Sequence, residues 1–269
     1  MGARAACLTS GGSGVMALSR LPAAQRLRVM GRAPNLPPGS RIYAVGDVHG
    51  RLDLLDDLLA KIKDDVARRP IERSLHVFLG DYIDRGCCSR DTIDRLIRHG
   101  EQNEAVFLKG NHEAIALRCL SDRTLFDQWM RLGGLETLIS YGIERQILAN
   151  GRSIAELQAA FHRALPPSHI RFFRELKLSF VCGDFFFTHA GVKPDVALAQ
   201  QREADLLWIR QEFLSSTEDF GKIVVHGHTP VPEVEIEPNR INIDTGAFAT
   251  GRLSCLVIED QSLSLIDTA

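Results

Sequence analysis

From Arg41 onward, apolar positions switch repeatedly between the two-residue period of strands and the longer period of helices. Residues 41–46 (RIYAVG) are a short apolar run ending at Gly46-Asp47, as a buried parallel strand would. Residues 51–66 place Leu52, Leu55, Leu58, Leu59, Ile62 and Val66 on one face, which predicts an amphipathic helix. Segment 75–81 (LHVFLGD) predicts a strand, 89–99 a helix and 105–111 (AVFLKGN) a strand. Residues 111–165 read as mostly helical, with breaks at Gly133-Gly134 and Asn150-Gly151. A β-rich half follows. Its first segment, 178–189 (LSFVCGDFFFTH), carries a hairpin signal at Gly183-Asp184, and 222–227, 240–244, 253–259 and 262–267 complete it. The succession predicts an α/β fold with a mixed sheet or two sheets flanked by helices.

The first 40 residues differ: they hold five Arg, no Asp or Glu, and much Ala, Gly, Ser and Pro. Without a sustained apolar face such a segment does not fold alone, so it reads as a disordered basic tail or leader ahead of a domain spanning 41–269. The formal charge of -2 is therefore a cancellation, because residues 41–269 carry 27 Lys+Arg against 34 Asp+Glu. A near-neutral sum excludes a dedicated binder of nucleic-acid polymers, and no apolar run reaches the roughly 18 residues of a membrane span. The six cysteines lack close CxxC spacing, which excludes a zinc ribbon and fits reduced thiols in a cytoplasmic compartment.

Candidate chemistry concentrates where the strands end. GDVHG (46–50), GDYIDRG (80–86) and GNHE (110–113) each follow an apolar strand and are bounded by glycine. In α/β sheets the crevice beyond the strand carboxyl ends is the usual ligand site, so these segments bring Asp47, His49, Asp81, Asp84, Arg85, Asn111 and His112 together. THAG adds His189, and HGHTP adds His226 and His228, so five of the nine histidines stand at strand ends. Carboxylate, imidazole and amide oxygen together suit Mn, Fe or Zn. A bridging aspartate such as Asp81 can hold two divalent ions about 3.5–4 Å apart and so acidify a shared water. His76, His99, His162 and His169 are read as core or surface histidines.

Taken together, GDVHG, GDYIDRG, GNHE, HAG and GHTP resemble the phosphoprotein phosphatase family of calcineurin-like metallophosphoesterases, over essentially residues 41–269. The IDTG…G.L ending is similar to the bacterial and phage branch, which includes the lambda phage phosphatase and the symmetrical diadenosine tetraphosphatases. The resemblance implies a sandwich of two mixed β-sheets flanked by helices, with helices of about residues 120–175 capping the cleft. It implies one metal held by Asp47, His49 and bridging Asp81, and a second held by Asp81, Asn111, His189 and His228. His226 is read as supporting a ligand from behind. His112 is implied as the proton donor to the leaving oxygen, Asp84 as its dyad partner, and Arg85, Arg210, Lys109 and Asn111 as phosphate contacts. Two positions depart from the pattern: Lys109 stands where Arg is usual, and Cys87-Cys88, read as an inert loop, where Pro is usual.

These roles predict a metal-dependent phosphomonoesterase with two divalent ions, manganese foremost. A metal-bridging hydroxide attacks phosphorus in line, and the substrate is a phosphoprotein (phosphoserine or phosphothreonine) or a phosphorylated small molecule. Symmetrical hydrolysis of dinucleoside tetraphosphates is the alternative, since only the cleft walls would differ. A non-catalytic binding module on the same fold is disfavoured because every ligand position is filled.

Overall fold

The computed structural model describes residues 34–143 and 153–269, which form two five-stranded sheets packed face to face. The first sheet contains β1 (Ser40–Val45), β2 (Arg73–Phe78), β3 (Ala105–Phe107), β9 (Ser254–Glu259) and β10 (Ser262–Asp267), in the order β10-β9-β1-β2-β3. Strands β1, β2 and β3 are parallel, while β9 and β10 run antiparallel. The second sheet has the order β4-β5-β6-β8-β7, from β4 (Ser179–Cys182), β5 (Phe185–Thr188), β6 (Ile223–His226), β7 (Glu235–Ile236) and β8 (Arg240–Asn242). Here β5, β6 and β8 are parallel, and the antiparallel strands β4 and β7 form the edges. Each sheet is mixed, and each has three parallel strands whose carboxyl ends carry loops toward one crevice.

The side-chain pattern explains the layers. Ile42, Ala44, Leu75 and Val77 of the first sheet meet Phe185, Phe187, Ile223, Val225 and Ile241 of the second in the sandwich core. The alternate residues Tyr43, Val45 and Phe78 face the helices α1 (Leu52–Arg68) and α2 (Ser89–Gln102) and those that follow. Phe186 and Val224 face the helix α8 (Glu203–Trp208) and the short turn α9 (Gln211–Leu214) on the other outer layer. Central strands are buried on both faces, which is why they read as continuous apolar runs.

Arg41 is buried at the start of β1, where it donates to both Glu259 oxygens (2.9 and 3.0 Å), to the Arg69 carbonyl (2.7 Å) and to Tyr43 Oη (3.1 Å). Tyr43 in turn donates to Asp65 (2.7 Å), so β1, β9 and the end of α1 share one polar knot inside the core.

The packed region begins before Arg41. Leu36 is buried in the sandwich core, and Asn35 exchanges hydrogen bonds with Asp184 at the tip of the β4–β5 hairpin. The expected tail therefore docks its last residues, 34–40, while residues 1–33 lie outside the described ones. Within 120–175 the described helices are α4 (Phe126–Trp129), α5 (Leu135–Ser140), α6 (Ile154–Ala164) and α7 (Pro167–Glu175), with a π-helical turn at Met130–Gly134 joining α4 to α5. The break expected at Asn150-Gly151 lies outside the described residues. Among the described residues no helix is long and apolar enough to cross a membrane.

Candidate active site and metal centre

All six parallel strands deliver a polar residue to the crevice: β1 supplies Asp47 and His49, β2 supplies Asp81 to Arg85, and β3 leads into Asn111 and His112 at the start of α3 (Asn111–Cys119). From the second sheet β5 supplies His189, β6 supplies His228, and β8 supplies Asp244. Asp244 was not singled out from the sequence. The loops are unusual in their backbone: His49, Asp81, Asp84, Arg85 and His228 all have φ between 47° and 71°. Side chains other than glycine rarely adopt that region, and strain of this kind clusters at functional sites.

Asp81 is the hub. Its Oδ2 lies 3.5 Å from His49 Nε2 and 3.7 Å from His112 Nε2, and its Oδ1 lies 3.4 Å from His189 Nε2. His49 Nδ1 is paired with the Ile83 carbonyl (2.9 Å) and His189 Nδ1 with the Leu79 carbonyl (3.0 Å). A carbonyl accepts only from N–H, so each ring carries a proton on Nδ1 and directs Nε2 at Asp81. Burial lowers the His189 pKa but Asp81 raises it further, so a cation there would displace a proton from its Nε2. Asn111 Oδ1 lies 2.9 Å from both His189 Nε2 and His228 Nδ1, and the His228 amide donates to Asp47 Oδ2 (3.0 Å).

This donor set fits divalent cations. Two groups have ligand atoms close enough to share an ion: His49, Asp81 and His112, and Asp81, His189 and His228. Asp47 Oδ1 is buried without a hydrogen-bond partner. Burial first, then Asp244 and Asp81, push the Asp47 carboxyl well above the usual carboxylate range. A buried carboxylate in that position must take either a proton or a cation. Burial also pushes His49 down to about 3 and His228 to about 2, which keeps both imidazoles neutral, as ligands require.

His112 belongs to a different arrangement despite its proximity. Its Nδ1 donates to Asp84 Oδ2 (2.7 Å), and its Nε2 sits 3.3 Å from the Arg85 guanidinium. Burial alone would lower its pKa, but Asp81 and then Asp84 raise it above the ordinary histidine value. Asp84 is fully buried and also accepts from Trp129 Nε1 (2.9 and 3.1 Å) and Thr137 Oγ1 (2.6 Å). The cap segment thus reaches under the dyad, and its π-helical turn places the Gly133 carbonyl on the Arg85 amide (3.2 Å). Neither Trp129 nor Thr137 was anticipated.

Glu113, the last residue of GNHE, has a structural task that the motif alone does not show. Its two oxygens accept from four backbone amides, those of Asp81 (2.9 Å), Tyr82 (2.7 Å), Ile83 (3.2 Å) and Gly110 (3.0 Å). Burial and the Asp81 charge push it up to about 7, whereas those four donors favour the ionised form. Its place three residues after Gly110 is the capping-box spacing, a signal present in the sequence. A Cβ on Gly110 would collide with Asp81 Oδ1, and one on Gly227 with Asp47 Oδ1, so both glycines are required by close approach.

Arg210 is exposed, and its charge is felt at His228. Lys109 Nζ is paired with Glu203 Oε1 (3.3 Å). His226 is buried, with Nδ1 against the Gly227 carbonyl (3.1 Å) and its ring 5.0 Å from Phe213, and burial pushes it down to about 3. The Cys87 and Cys88 sulfurs are 3.1 Å apart, and burial raises the Cys88 thiol to about 11. Two aromatic rings that no motif marks stand beside the site: Phe248 lies 5.5 Å from the His49 ring, and Trp208 lies 6.2 Å from the His228 ring.

Comparison with known proteins agrees with this architecture. The calcineurin-like phosphoesterase family model matches residues 40–252. The chain is 26% identical over 230 residues to the asymmetrical bis(5'-nucleosyl)-tetraphosphatase PrpE of Anoxybacillus flavithermus, covering 79% of this chain and 88% of that one. It is 28% identical over 233 residues to PrpE of Halalkalibacterium halodurans, covering 79% and 87%. A solved candidate diadenosine tetraphosphatase shares the fold with a TM-score of 0.60 at 20% identity, covering 88% of this chain and 99% of that one. These relatives are nucleosyl-tetraphosphatases rather than protein phosphatases, so the broader family holds and the finer expectation of a protein-phosphatase or phage-like branch does not follow from them. With two mixed sheets and a histidine, aspartate and asparagine cluster at their strand ends, the chain belongs to the calcineurin-like phosphoesterase family.

Proposed function

We propose that this protein hydrolyses dinucleoside tetraphosphates, with diadenosine tetraphosphate as the first substrate to try and AMP with ATP as the products. The observation that carries the reading is the similarity to the PrpE relatives, named as asymmetrical tetraphosphatases, along nearly four-fifths of the chain. The geometry supports the chemistry on which this rests. Asp47, His49 and Asp81 would hold one divalent ion, and Asp81, Asn111, His189 and His228 the other. When bound, such a pair supplies Lewis acidity and a water acidic enough to react near neutral pH.

The chain's own residues do the rest. Arg85 offers a guanidinium beside His112, where a forked donor stabilises charge on the equatorial phosphoryl oxygens. Water adds to phosphorus, the phosphorus–oxygen bond to the departing nucleotide breaks, and the proton on His112 Nε2 goes to the departing oxygen. Asp84 holds Nδ1 protonated and fixes the ring, so the proton to be given is one on Nε2, which Nε2 carries once Arg85 Nη2, a donor 3.3 Å away, turns from it to the phosphate.

A second reading, a serine/threonine phosphomonoesterase, is favoured by one feature: the complete His112–Asp84 dyad. An alkoxide is a poor leaving group and gains most from a proton donor, whereas a nucleotide phosphate departs readily. The deciding experiment supplies manganese and separates the products chromatographically for diadenosine tetraphosphate and, in parallel, a phosphoserine peptide. Equal AMP and ATP support the asymmetrical reaction, and ADP alone the symmetrical one. Phosphate release from the peptide with the dinucleotide untouched would sink the proposal.

A further inference from the structure

Among the described residues the exposed large hydrophobic side chains are Leu135, Val181, Trp208 and Phe248. Both aromatic ones stand against imidazoles of the site. Phe248 is 38% exposed, with its ring 5.5 Å from His49, on the side of Asp81 Oδ2. Trp208 is 39% exposed, with its ring 6.2 Å from His228, whose neighbour His189 faces Asp81 Oδ1. The two rings are thus linked to the hub carboxylate through different imidazoles, Phe248 through His49 and Trp208 through the His228–His189 pair. Arg85 lies over the Phe248 ring at 4.6 Å, and the charge of Arg210, two residues after Trp208, is felt at the same His228 that Trp208 stands against. An exposed ring beside a cation at the edge of a phosphate-binding crevice suits a nucleotide, whose base needs a flat apolar face and whose phosphates need charge.

We infer that Trp208 and Phe248 are the base platforms of the site, each stacking one nucleobase of a dinucleoside polyphosphate whose phosphate chain crosses Asp81. The inference rests on the tetraphosphatase reading and adds to it what the cleft recognises at the two ends of the substrate. A substrate with an aromatic group at each end matches two such rings. A phosphopeptide carries its phosphate along an extended chain and has no need of an aromatic on either side.

Phe248 also touches Arg85, so truncating it would disturb every substrate, and Trp208 is the discriminating position. The chain has two tryptophans, and the other, Trp129, is fully buried on Asp84. Tryptophan emission of the full-length, manganese-loaded protein should therefore report on Trp208 when ATP is added. Inorganic tripolyphosphate, which has no base, is the control. The expected result is quenching by ATP, little change with tripolyphosphate, and loss of the ATP response in Trp208→Phe. In kinetics, Trp208→Ala should lower kcat/KM for diadenosine tetraphosphate about 10–100-fold more than for p-nitrophenyl phosphate, mainly through KM, and Trp208→Phe should restore most of that ratio.

Equal losses on both substrates, or equal responses to ATP and tripolyphosphate, would overturn the inference. The two proposals fail separately. Turnover of diadenosine tetraphosphate with no dependence on Trp208 removes the platform alone. ATP quenching through Trp208 without turnover of the dinucleotide removes the tetraphosphatase reading and leaves the platform in place.

Discussion

The His112–Asp84 dyad has a chemical signature that depends on the leaving group. Replacing His112 with Asn should cost about 10²–10⁴ in kcat on an alkyl phosphate and much less on p-nitrophenyl phosphate, whose leaving oxygen needs little help. A loss of equal size on both would contradict the role of proton donor. The pH dependence has a definite sign: Asp81 and Asp84 raise the His112 pKa, so its acid form persists to higher pH and activity falls on the alkaline side. Asp84→Asn should move that alkaline limb to lower pH, as read from kcat/KM profiles. Glu113 acts earlier in the chain of causes, by holding four amides of the loops that carry Asp81 and Asn111. Glu113→Gln should cost roughly 1.5–3 kcal/mol in urea unfolding and weaken manganese binding in a direct titration. The candidate metal-site residues were legible because each stands at the end of an apolar run and, His189 apart, beside a glycine. Trp129 and Thr137 were not legible, since their partner Asp84 lies 45 and 53 positions away and no local pattern ties them to it.

Among the elements, the strands and the long helices followed from periodicity, and the hairpin from Gly183-Asp184. The stretch between His189 and Lys222 shows no clear period in the sequence, yet it forms α8 and α9, whose apolar residues Leu206 and Phe213 cover Phe186 and Val224. Helices of six and four residues are too short to establish a period. β7 has two residues and exists through its pairing with β8, which is a tertiary fact. The π-helical turn has a similar origin, because Gly133 there meets the Arg85 backbone. Arg41 shows how elements are tied together, since it joins β1 to β9 and to the end of α1. Arg41→Ala would leave Glu259 with Arg69 and Tyr43 with Asp65 but remove the tie between the strands and α1, and should cost about 1.5–3 kcal/mol, measured by denaturant unfolding.

Across the whole molecule, the site exists only when both sheets are assembled, because the His228 amide meets an Asp47 carboxylate 181 positions away. Acid should weaken the fold through a second, remote feature. His76 Nδ1 and His99 Nε2 are 2.7 Å apart between β2 and α2, and burial pushes both rings down to about 4. The unfolded chain, with histidines near 6.5, then binds more protons than the folded one as pH falls. Stability from this pair is complete above about pH 6.5 and is lost as pH falls toward about 4. His76→Gln should flatten the difference between unfolding curves at neutral pH and at about pH 5.

The left-handed backbone at His49, Asp81, Asp84, Arg85 and His228 has a consequence for the protein's history as well as its chemistry. Each such residue costs on the order of 1 kcal/mol that a glycine would not, so selection for heat resistance alone would erode these loops. Arg85→Gly is the informative case, because among the described residues the Arg85 side chain is held by His112 Nε2 (3.3 Å) and the exposed Phe248 ring (4.6 Å) rather than by a buried ion pair. That variant should melt higher and turn over more slowly, placing activity and robustness in opposition at a single position.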